Sequence, residues 1–225
     1  MHGAGRMRMT ELTLVRHGQA NAAAKDPDSY DILSDLGHDQ ARWLGEYIAP
    51  LGQYDRVVSG TLRRQFGTAE GANPTGLPHS TDARLNELDY YGLAHSLRDS
   101  HGVPFPDTPE GFAAHVPQVL DVWRSDGMSP DLESYKAFRA RITDALHDIA
   151  KDGPGALVVT STGVIATLTA IALGLDTSAK TKMFLTVAHT SMHKFELRRD
   201  GLYLTQYGAT PHLDTPDRAF ARTFV

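Results

Sequence analysis

The stretch ELTLVRHG, residues 11–18, joins a short alternating apolar pattern to three chemically distinctive residues. Leu12 and Leu14 fall on one face of an extended chain, and Val15 closes the apolar run. The pattern therefore predicts a strand that ends at residues 16–18, the sequence RHG, and carries them to the edge of a sheet.

Helix and strand patterns alternate along the rest of the chain. Ser34 is expected to cap a helix that ends near Pro50, and residues 73–109 are expected to form a loop because they hold many prolines and glycines. The other expected elements are strands at 56–59 and 156–160, helices at 62–71, 112–123, 135–149 and 163–173, and a terminal hairpin of 192–197 with 202–207.

This order of elements is typical of an α/β fold. We expect a three-layer α/β/α arrangement with a mostly parallel sheet, helices on both faces and an antiparallel edge formed by the terminal hairpin. Residues 1–225 are expected to form a single domain, in which residues 93–130 are an inserted cap.

Composition excludes several kinds of protein. The chain has 225 residues, a formal net charge of −5 and no cysteine, which rules out disulfides, thiolate metal sites and cysteine nucleophiles. The chain contains no run of Lys or Arg residues, so nucleic acid is not expected as a partner. The longest apolar segment, 163–175, is too short to span a bilayer, and residues 1–10 lack the apolar stretch of a signal peptide. A cytoplasmic protein with no membrane association is expected.

Three polar segments follow expected strands directly: residues 16–18, residues 59–64 with two arginines, and residues 160–163 at the start of the apolar helix. In open α/β sheets ligands bind beyond the carboxyl ends of the strands. A helix start adds backbone N–H groups and the positive end of the helix dipole. The three segments together predict an anion-binding site.

Two of these segments, with a third further along, resemble the histidine phosphatase superfamily, which includes the cofactor-dependent phosphoglycerate mutases. The sequence LTLVRHGQ at 12–19 looks like the signature of that family, and SGTLRRQFGTAE at 59–70 is similar to the segment with its second phosphate-binding arginine. The sequence LNE at 85–87 looks like the segment that carries its general acid. The resemblance implies a catalytic set of His17, Arg16, Arg64 and Glu87, with Gln19 as a substrate-binding residue.

The chemistry of these side chains agrees with that assignment. Arginine matches phosphate oxygens bidentately and stays charged. A neutral imidazole can attack phosphorus and form a covalent intermediate, and a carboxylic acid can protonate the leaving group and then activate water. We therefore expect a histidine acid-type phosphatase that hydrolyses phosphate monoesters through a phosphohistidine on His17.

Two departures from the family pattern affect this expectation. Mutases of the family usually carry Ser, Trp and Asn soon after the RHG sequence, where this chain has Ala20, Ala22 and Ala23. The second histidine of the family falls on Ser161, or on Thr162 if the register shifts by one. We expect both hydroxyls to donate to phosphate and the enzyme to be slow.

Alternatives remain open at this point. The chain could be a mutase of the same fold, or a non-catalytic module that binds phosphate or a phosphoprotein. We expect a small phosphorylated substrate or a phosphoprotein as the partner, no metal and no other cofactor. His189, His193 and His212 are expected to be structural or surface residues, although residues 211–214 could reach the site. The sequence indicates no oligomeric state.

Overall fold

The computed structural model describes residues 10–21 and 27–224. The strands are β1 (Thr10–Arg16), β2 (Arg56–Ser59), β3 (His79–Thr81), β4 (Ala156–Thr160), β5 (Met192–Arg198) and β6 (Gly201–Ala209). They form one sheet in the order β3-β2-β4-β1-β5-β6. The first four strands of that order pair in parallel, while β5 is antiparallel to both β1 and β6. The expected mostly parallel sheet with an antiparallel edge is confirmed.

The helices are α1 (Pro27–Tyr30), α2 (Asp35–Ile48), α3 (Arg63–Gly71), α4 (Tyr90–His101), α5 (Pro109–Arg124), α6 (Tyr135–Lys151), α7 (Thr162–Leu173) and α8 (Thr177–Leu185). Short 3₁₀ turns occupy Ala49–Leu51, Ala83–Leu85 and Ala219–Ala221. No helix within the described residues is both long enough and apolar enough to cross a membrane.

Adjacent residues of the central strands face opposite helical layers. Leu14 of β1 is buried in a cluster with Ile142 of α6 and Val164 of α7. Val15, the next residue, is buried in a second cluster with Leu44 of α2. The alternation of a strand therefore produces the three layers, with one hydrophobic core on each face of the sheet.

Local sequence signals correctly predicted the start of one helix and the position of the terminal hairpin. Ser34 begins α2, and its Oγ accepts a hydrogen bond from Gly37 N at 3.0 Å. At the far end of the chain, β5 and β6 form the expected hairpin, in which Arg198 pairs with Gly201.

The loop expected at residues 73–109 is wrong in part, because β3 and α4 both lie in it. Asp89 caps α4 by accepting a hydrogen bond from Gly92 N at 2.9 Å. Leu93 and Leu97, four positions apart on one helix face, are buried in the core. The prolines and glycines on both sides of this short helix obscured its periodicity in the sequence.

Residues 93–130 comprise most of α4, all of α5 and the turns around them. Val119 and Trp123 of α5 belong to the same buried cluster as Leu14 of β1. The Trp123 indole N–H donates to Glu133 O at 2.7 Å. This segment is therefore packed against the main core rather than joined to it by the chain alone.

Candidate active site

The end of β1 delivers His17 to the carboxyl edge of the parallel strands. The His17 N–H donates to Thr160 O of β4 at 2.9 Å, which fixes the backbone beside the neighbouring strand. Glycine is needed at position 18, since a Cβ there would lie 2.6 Å from Gly37 O of α2. The start of α2 can therefore pack directly under the residue that follows His17.

Each ring nitrogen of the buried His17 has a defined neighbour. Nδ1 lies 2.7 Å from Gly18 O, and because a carbonyl oxygen only accepts, Nδ1 carries the hydrogen. Nε2 therefore presents a lone pair, to which Arg64 Nε donates at 3.2 Å. Burial lowers the pKa of His17 well below its ordinary value, and the charges of Arg64 and Arg16 lower it further. His17 is a neutral imidazole with Nε2 facing a guanidinium.

Arg64 is held by a residue that sequence reasoning missed. Its guanidinium forms an ion pair with Asp31, with Nη1 2.7 Å from Oδ1, and lies over the ring of Tyr30 at 5.4 Å. The Asp31 carboxylate also accepts from the backbone N–H of Arg63 at 2.9 Å. Since the residue before α3 is Leu62, which has no side-chain acceptor, Asp31 supplies the helix cap from another part of the chain.

Arg16 is buried at 6% exposure on the other side of His17. Its Nη1 donates to the carbonyl oxygens of Val187 and Phe224. Its Nε is buried and has no hydrogen-bond partner among the described residues. Burial lowers the pKa of Arg16 to about 10, so the side chain stays charged at neutral pH. A buried cation with an unused N–H is suited to bind an anion.

The Glu87 carboxylate lies against the start of α7. Both of its oxygens accept from Gly163 N at 3.0 Å, and Oε1 also accepts from Leu88 N at 3.0 Å. A Cβ at position 163 would lie 2.2 Å from Glu87 Oε1, so the close approach requires glycine. The positive end of the α7 dipole faces this carboxylate.

Arg141 of α6 supports the backbone that carries Glu87. Its Nη1 donates to Arg84 O at 2.6 Å and to Asn86 O at 2.9 Å. The same guanidinium is paired with Glu133, with Nε 2.6 Å from Oε1. These bonds hold the segment before Glu87 against a long helix of the main core, and no local motif in the sequence indicated them.

The remaining predicted site residues differ in whether they line the cavity in front of His17. Thr162 lines the cavity beside His17, whereas Ser161 is fully buried and its Oγ accepts from Gln65 Nε2 at 2.8 Å. The Gln19 side chain turns toward α2, where its Oε1 accepts from Ser34 Oγ at 2.8 Å. The structure therefore places Thr162 nearest to the space in front of His17.

The three late histidines are all buried. His193 is paired with Ser191 Oγ at 2.9 Å and His212 with Thr190 Oγ1 at 2.8 Å. His189, by contrast, packs near His17 with 5.8 Å between ring centroids. Its approach was not visible in the sequence, because it depends on β5 lying beside β1.

A cavity of about 640 Å³ opens in front of His17. Its lining includes Arg16, Arg64, Glu87 and Thr162, together with several aromatic residues. Within the described ranges, no group of three or more His, Asp or Glu side chains is arranged to hold a metal ion. Among the alanines that depart from the family pattern, Ala20 bridges to Leu33, while Ala22 and Ala23 lie outside the described residues.

Known proteins are similar to this chain in sequence and in fold. The glucosyl-3-phosphoglycerate phosphatase of Mycolicibacterium vanbaalenii is 32% identical over 188 residues, which are 75% of this chain and 76% of that protein. The structure of phosphoglycerate mutase from Bacillus anthracis superposes with a TM-score of 0.68 at 22% identity, covering 92% of this chain and 96% of that one.

A phosphoserine phosphatase from Entamoeba histolytica, solved with phosphoserine, superposes with a TM-score of 0.66 at 20% identity, covering 91% of this chain and 99% of that one. At these identities the two structures establish the fold alone. Residues 12–210 match the family model described as histidine phosphatase superfamily (branch 1). The chain belongs to the histidine phosphatase superfamily, branch 1.

Proposed function

We propose that this protein is a phosphatase that hydrolyses small phosphate monoesters through a phosphohistidine on His17. The observation that carries the proposal is the geometry of the His17 ring. Gly18 O fixes the hydrogen on Nδ1, so Nε2 carries a lone pair, and this lone pair accepts from Arg64 Nε beside a cavity that His17, Arg16 and Arg64 all line. A phosphatase of the same family is 32% identical to the chain.

In the first step, Nε2 of His17 attacks phosphorus and the bond from phosphorus to the ester oxygen breaks. For this attack Arg64 exchanges its hydrogen bond to Nε2 for one to a phosphoryl oxygen, which frees the lone pair, and the unused N–H of Arg16 binds a phosphoryl oxygen as charge builds there. Glu87, in its protonated form, gives its proton to the departing alkoxide. The products are the free alcohol, a phosphorylated His17 and an ionised Glu87.

In the second step, the Glu87 carboxylate takes a proton from water as the water oxygen attacks the phosphorus that is bound to Nε2 of His17. The bond from nitrogen to phosphorus breaks, inorganic phosphate leaves, and His17 returns to its neutral form. The position of Glu87 at the α7 terminus suits its ionised state after step one, because backbone N–H groups already donate to both oxygens.

Thr162 is proposed to donate to the phosphate directly, since it lines the cavity. Ser161 accepts from Gln65 and can still donate its own hydroxyl hydrogen, so it is proposed as a second donor. Gln19 is proposed to act at the margin of the phosphate site, where it contacts the cap of α2. Residues 93–130 are proposed to be the cap of a single domain, because Phe105 and Phe112 line the cavity.

The assignment to the histidine acid-type phosphatases is also part of this proposal. The lowered pKa of His17 leaves its nucleophilic nitrogen unprotonated below the pH at which an ordinary histidine is charged. A cytoplasmic location is proposed as well, on the ground that the sequence contains no cysteine. A phosphoprotein substrate is less favoured, since His17 is buried at 3% exposure.

The test is hydrolysis of 4-nitrophenyl phosphate, followed by rapid alkaline quenching and peptide mass analysis. We expect activity that His17→Ala abolishes and a labile phosphate on the peptide that contains His17. Activity that survives His17→Ala, or a label on another residue, contradicts the mechanism. Release of an isomerised phosphate ester instead of inorganic phosphate would indicate a mutase, and no turnover with tight phosphate binding would indicate a binding module.

A further inference from the structure

The cavity in front of His17 has a largely aromatic lining. Besides Tyr30, which lies against Arg64, six aromatic residues from α4, α5, α8, the turn between α4 and α5, and the C-terminal segment line it. They are Tyr90, Tyr91, Phe105, Phe112, Phe184 and Phe224. The alcohol portion of a phosphate ester must lie in this same cavity when its phosphorus is against His17.

Little of the cavity lining is positively charged. Within residues 10–21 and 27–224, the only Lys or Arg residues that line the cavity are Arg16, which precedes His17, and Arg64, which is bound to it. Asp89 also lines the cavity. A second negative group on the substrate would leave water without gaining a cation, which is costly in an apolar cavity.

Arg98, a cation that contacts the aromatic lining, is already engaged elsewhere. Arg98 of α4 lies over the ring of Phe105 at 5.7 Å but does not line the cavity. Its Nε is bound to Asp99 at 2.8 Å, and its side chain is exposed on the outside of the protein. Arg98 therefore covers the back of the ring and leaves the front as an apolar surface.

The rings are held in place by one another. The Tyr90 hydroxyl is hydrogen-bonded to His115 Nδ1 at 2.7 Å, and the Tyr90 ring packs against Phe112 at 5.2 Å between centroids. Phe105 stacks near the same histidine at 6.3 Å and meets His95 edge-on at 4.6 Å. Such tilted and edge-on contacts are the favoured arrangements of aromatic groups, so the apolar wall exists before substrate binds.

From this lining we infer that the substrate is a phosphate monoester of an apolar, ring-bearing alcohol with no second anionic group. The inference rests on the proposed phosphatase function and adds the identity of the leaving group. The phosphate dianion occupies the two arginines, and the apolar portion is buried among the rings of α4, α5 and α8.

The test compares two esters whose leaving groups are both primary alcohols. These are 2-phenylethyl phosphate, which carries a ring, and the phosphate ester of 3-hydroxypropanoate, which carries a carboxylate. We expect kcat/KM to favour the phenyl ester by about 10- to 200-fold, the range that apolar contacts in a pocket provide. Calorimetric binding of both esters to His17→Ala should show the same preference without turnover.

Variants at Phe105 test the wall itself, since this residue lies in a turn and its replacement threatens the fold least. Phe105→Arg should reduce the preference at least tenfold by supplying a cation, while Phe105→Leu should keep most of it. Phe220→Ala is the matched control, because this ring is 71% exposed and does not line the cavity.

Each outcome decides a separate point. Equal or better kcat/KM and binding for the carboxylated ester would overturn the substrate inference while leaving the phosphatase function intact. An unchanged preference in Phe105→Arg would show that the ring wall does not select the substrate. If neither ester nor 4-nitrophenyl phosphate is hydrolysed, the proposed function fails and the inference fails with it.

Discussion

Replacing Glu87 with glutamine isolates proton transfer from the other features of the site. The glutamine side chain keeps the length of Glu87 and can still accept from Gly163 N through its amide oxygen. It cannot donate a proton to a departing alkoxide or take one from water. One bond is also lost, since both carboxylate oxygens now accept from the Gly163 N–H, and the amide NH₂ cannot accept from it.

The size of the effect depends on the leaving group. General acid catalysis contributes about 10²- to 10⁴-fold when the leaving group is basic. An alkoxide such as 2-phenylethoxide requires that proton, whereas 4-nitrophenolate leaves without it. We therefore expect kcat/KM of Glu87→Gln to fall by about 10²- to 10⁴-fold on the alkyl ester and by much less on the nitrophenyl ester.

The assay uses kcat/KM because this quantity reports only the steps up to phosphorylation of His17. Loss of the base in the second step should appear separately, as a burst of one nitrophenolate per active site followed by slow turnover. Equal losses of kcat/KM on the two esters would refute the general-acid role and leave Glu87 a structural carboxylate.

A second variant displaces the Glu87 carboxylate without replacing Glu87 itself. In Gly163→Ala the new Cβ would lie 2.2 Å from Glu87 Oε1, so the carboxylate must move. We expect the same dependence on leaving group as in Glu87→Gln. Gly67→Ala, on α3, is the control, since its new Cβ would meet only the side chain of Leu33, at 3.3 Å. Wild-type selectivity in Gly163→Ala would show that the carboxylate position is unimportant.

Four further changes test other parts of the site. Asp31→Asn should raise the inhibition constant of inorganic phosphate and lower kcat/KM by about tenfold, because it weakens the ion pair that orients Arg64; a neutral result would make Asp31 only a helix cap. The acid limb of kcat/KM should lie below pH 6.5 and move to higher pH in Arg64→Gln, since Arg64 lowers the pKa of His17; an unmoved limb would assign it to another group. Thr162→Val should weaken phosphate binding more than Ser161→Ala, and His212→Ala should change it least; the reverse order would contradict the placement of the donors. Burial lowers the pKa of His212 from 6.5 to about 4. Between these pH values the unfolded chain binds more protons than the folded chain, so the free energy of unfolding should fall by up to about 3 kcal/mol from pH 6.5 to pH 4. A wild-type slope retained in His212→Gln would exclude this residue as the cause.

The sequence predicted the parts of the site that follow a strand directly. Arg16 is the last residue of β1, and His17 and the start of α7 are one and two residues beyond a strand; parallel strands bring such positions together. Arg64 was predicted from the resemblance of residues 59–70 to the family segment, and it lies in the first turn of α3 after β2. For His17, Arg16 and the start of α7 the local pattern and the sheet topology contain the information that brings them together.

The supporting contacts were not predictable because they join distant segments. Asp31 caps a helix that begins more than thirty residues later, and Arg141 reaches the carbonyls before Glu87 from α6. His189 approaches His17 only because β5 pairs with β1. None of these three residues belongs to a motif, and their partners are set by side-chain packing between helices and sheet rather than by spacing along the chain.

The charge balance of the site explains how it can work with Ser161 in place of a second histidine. Two arginines face the phosphate, but Asp31 offsets the charge of Arg64. Burial and the nearby Arg16 lower the pKa of His189 well below its usual value, so this imidazole adds no positive charge at neutral pH. Beside Arg16 and Arg64, the further donors to a phosphate dianion are therefore neutral, such as the hydroxyl of Thr162. Neutral donors are weaker than charged ones, so the apolar portion of a substrate contributes correspondingly more to tight binding.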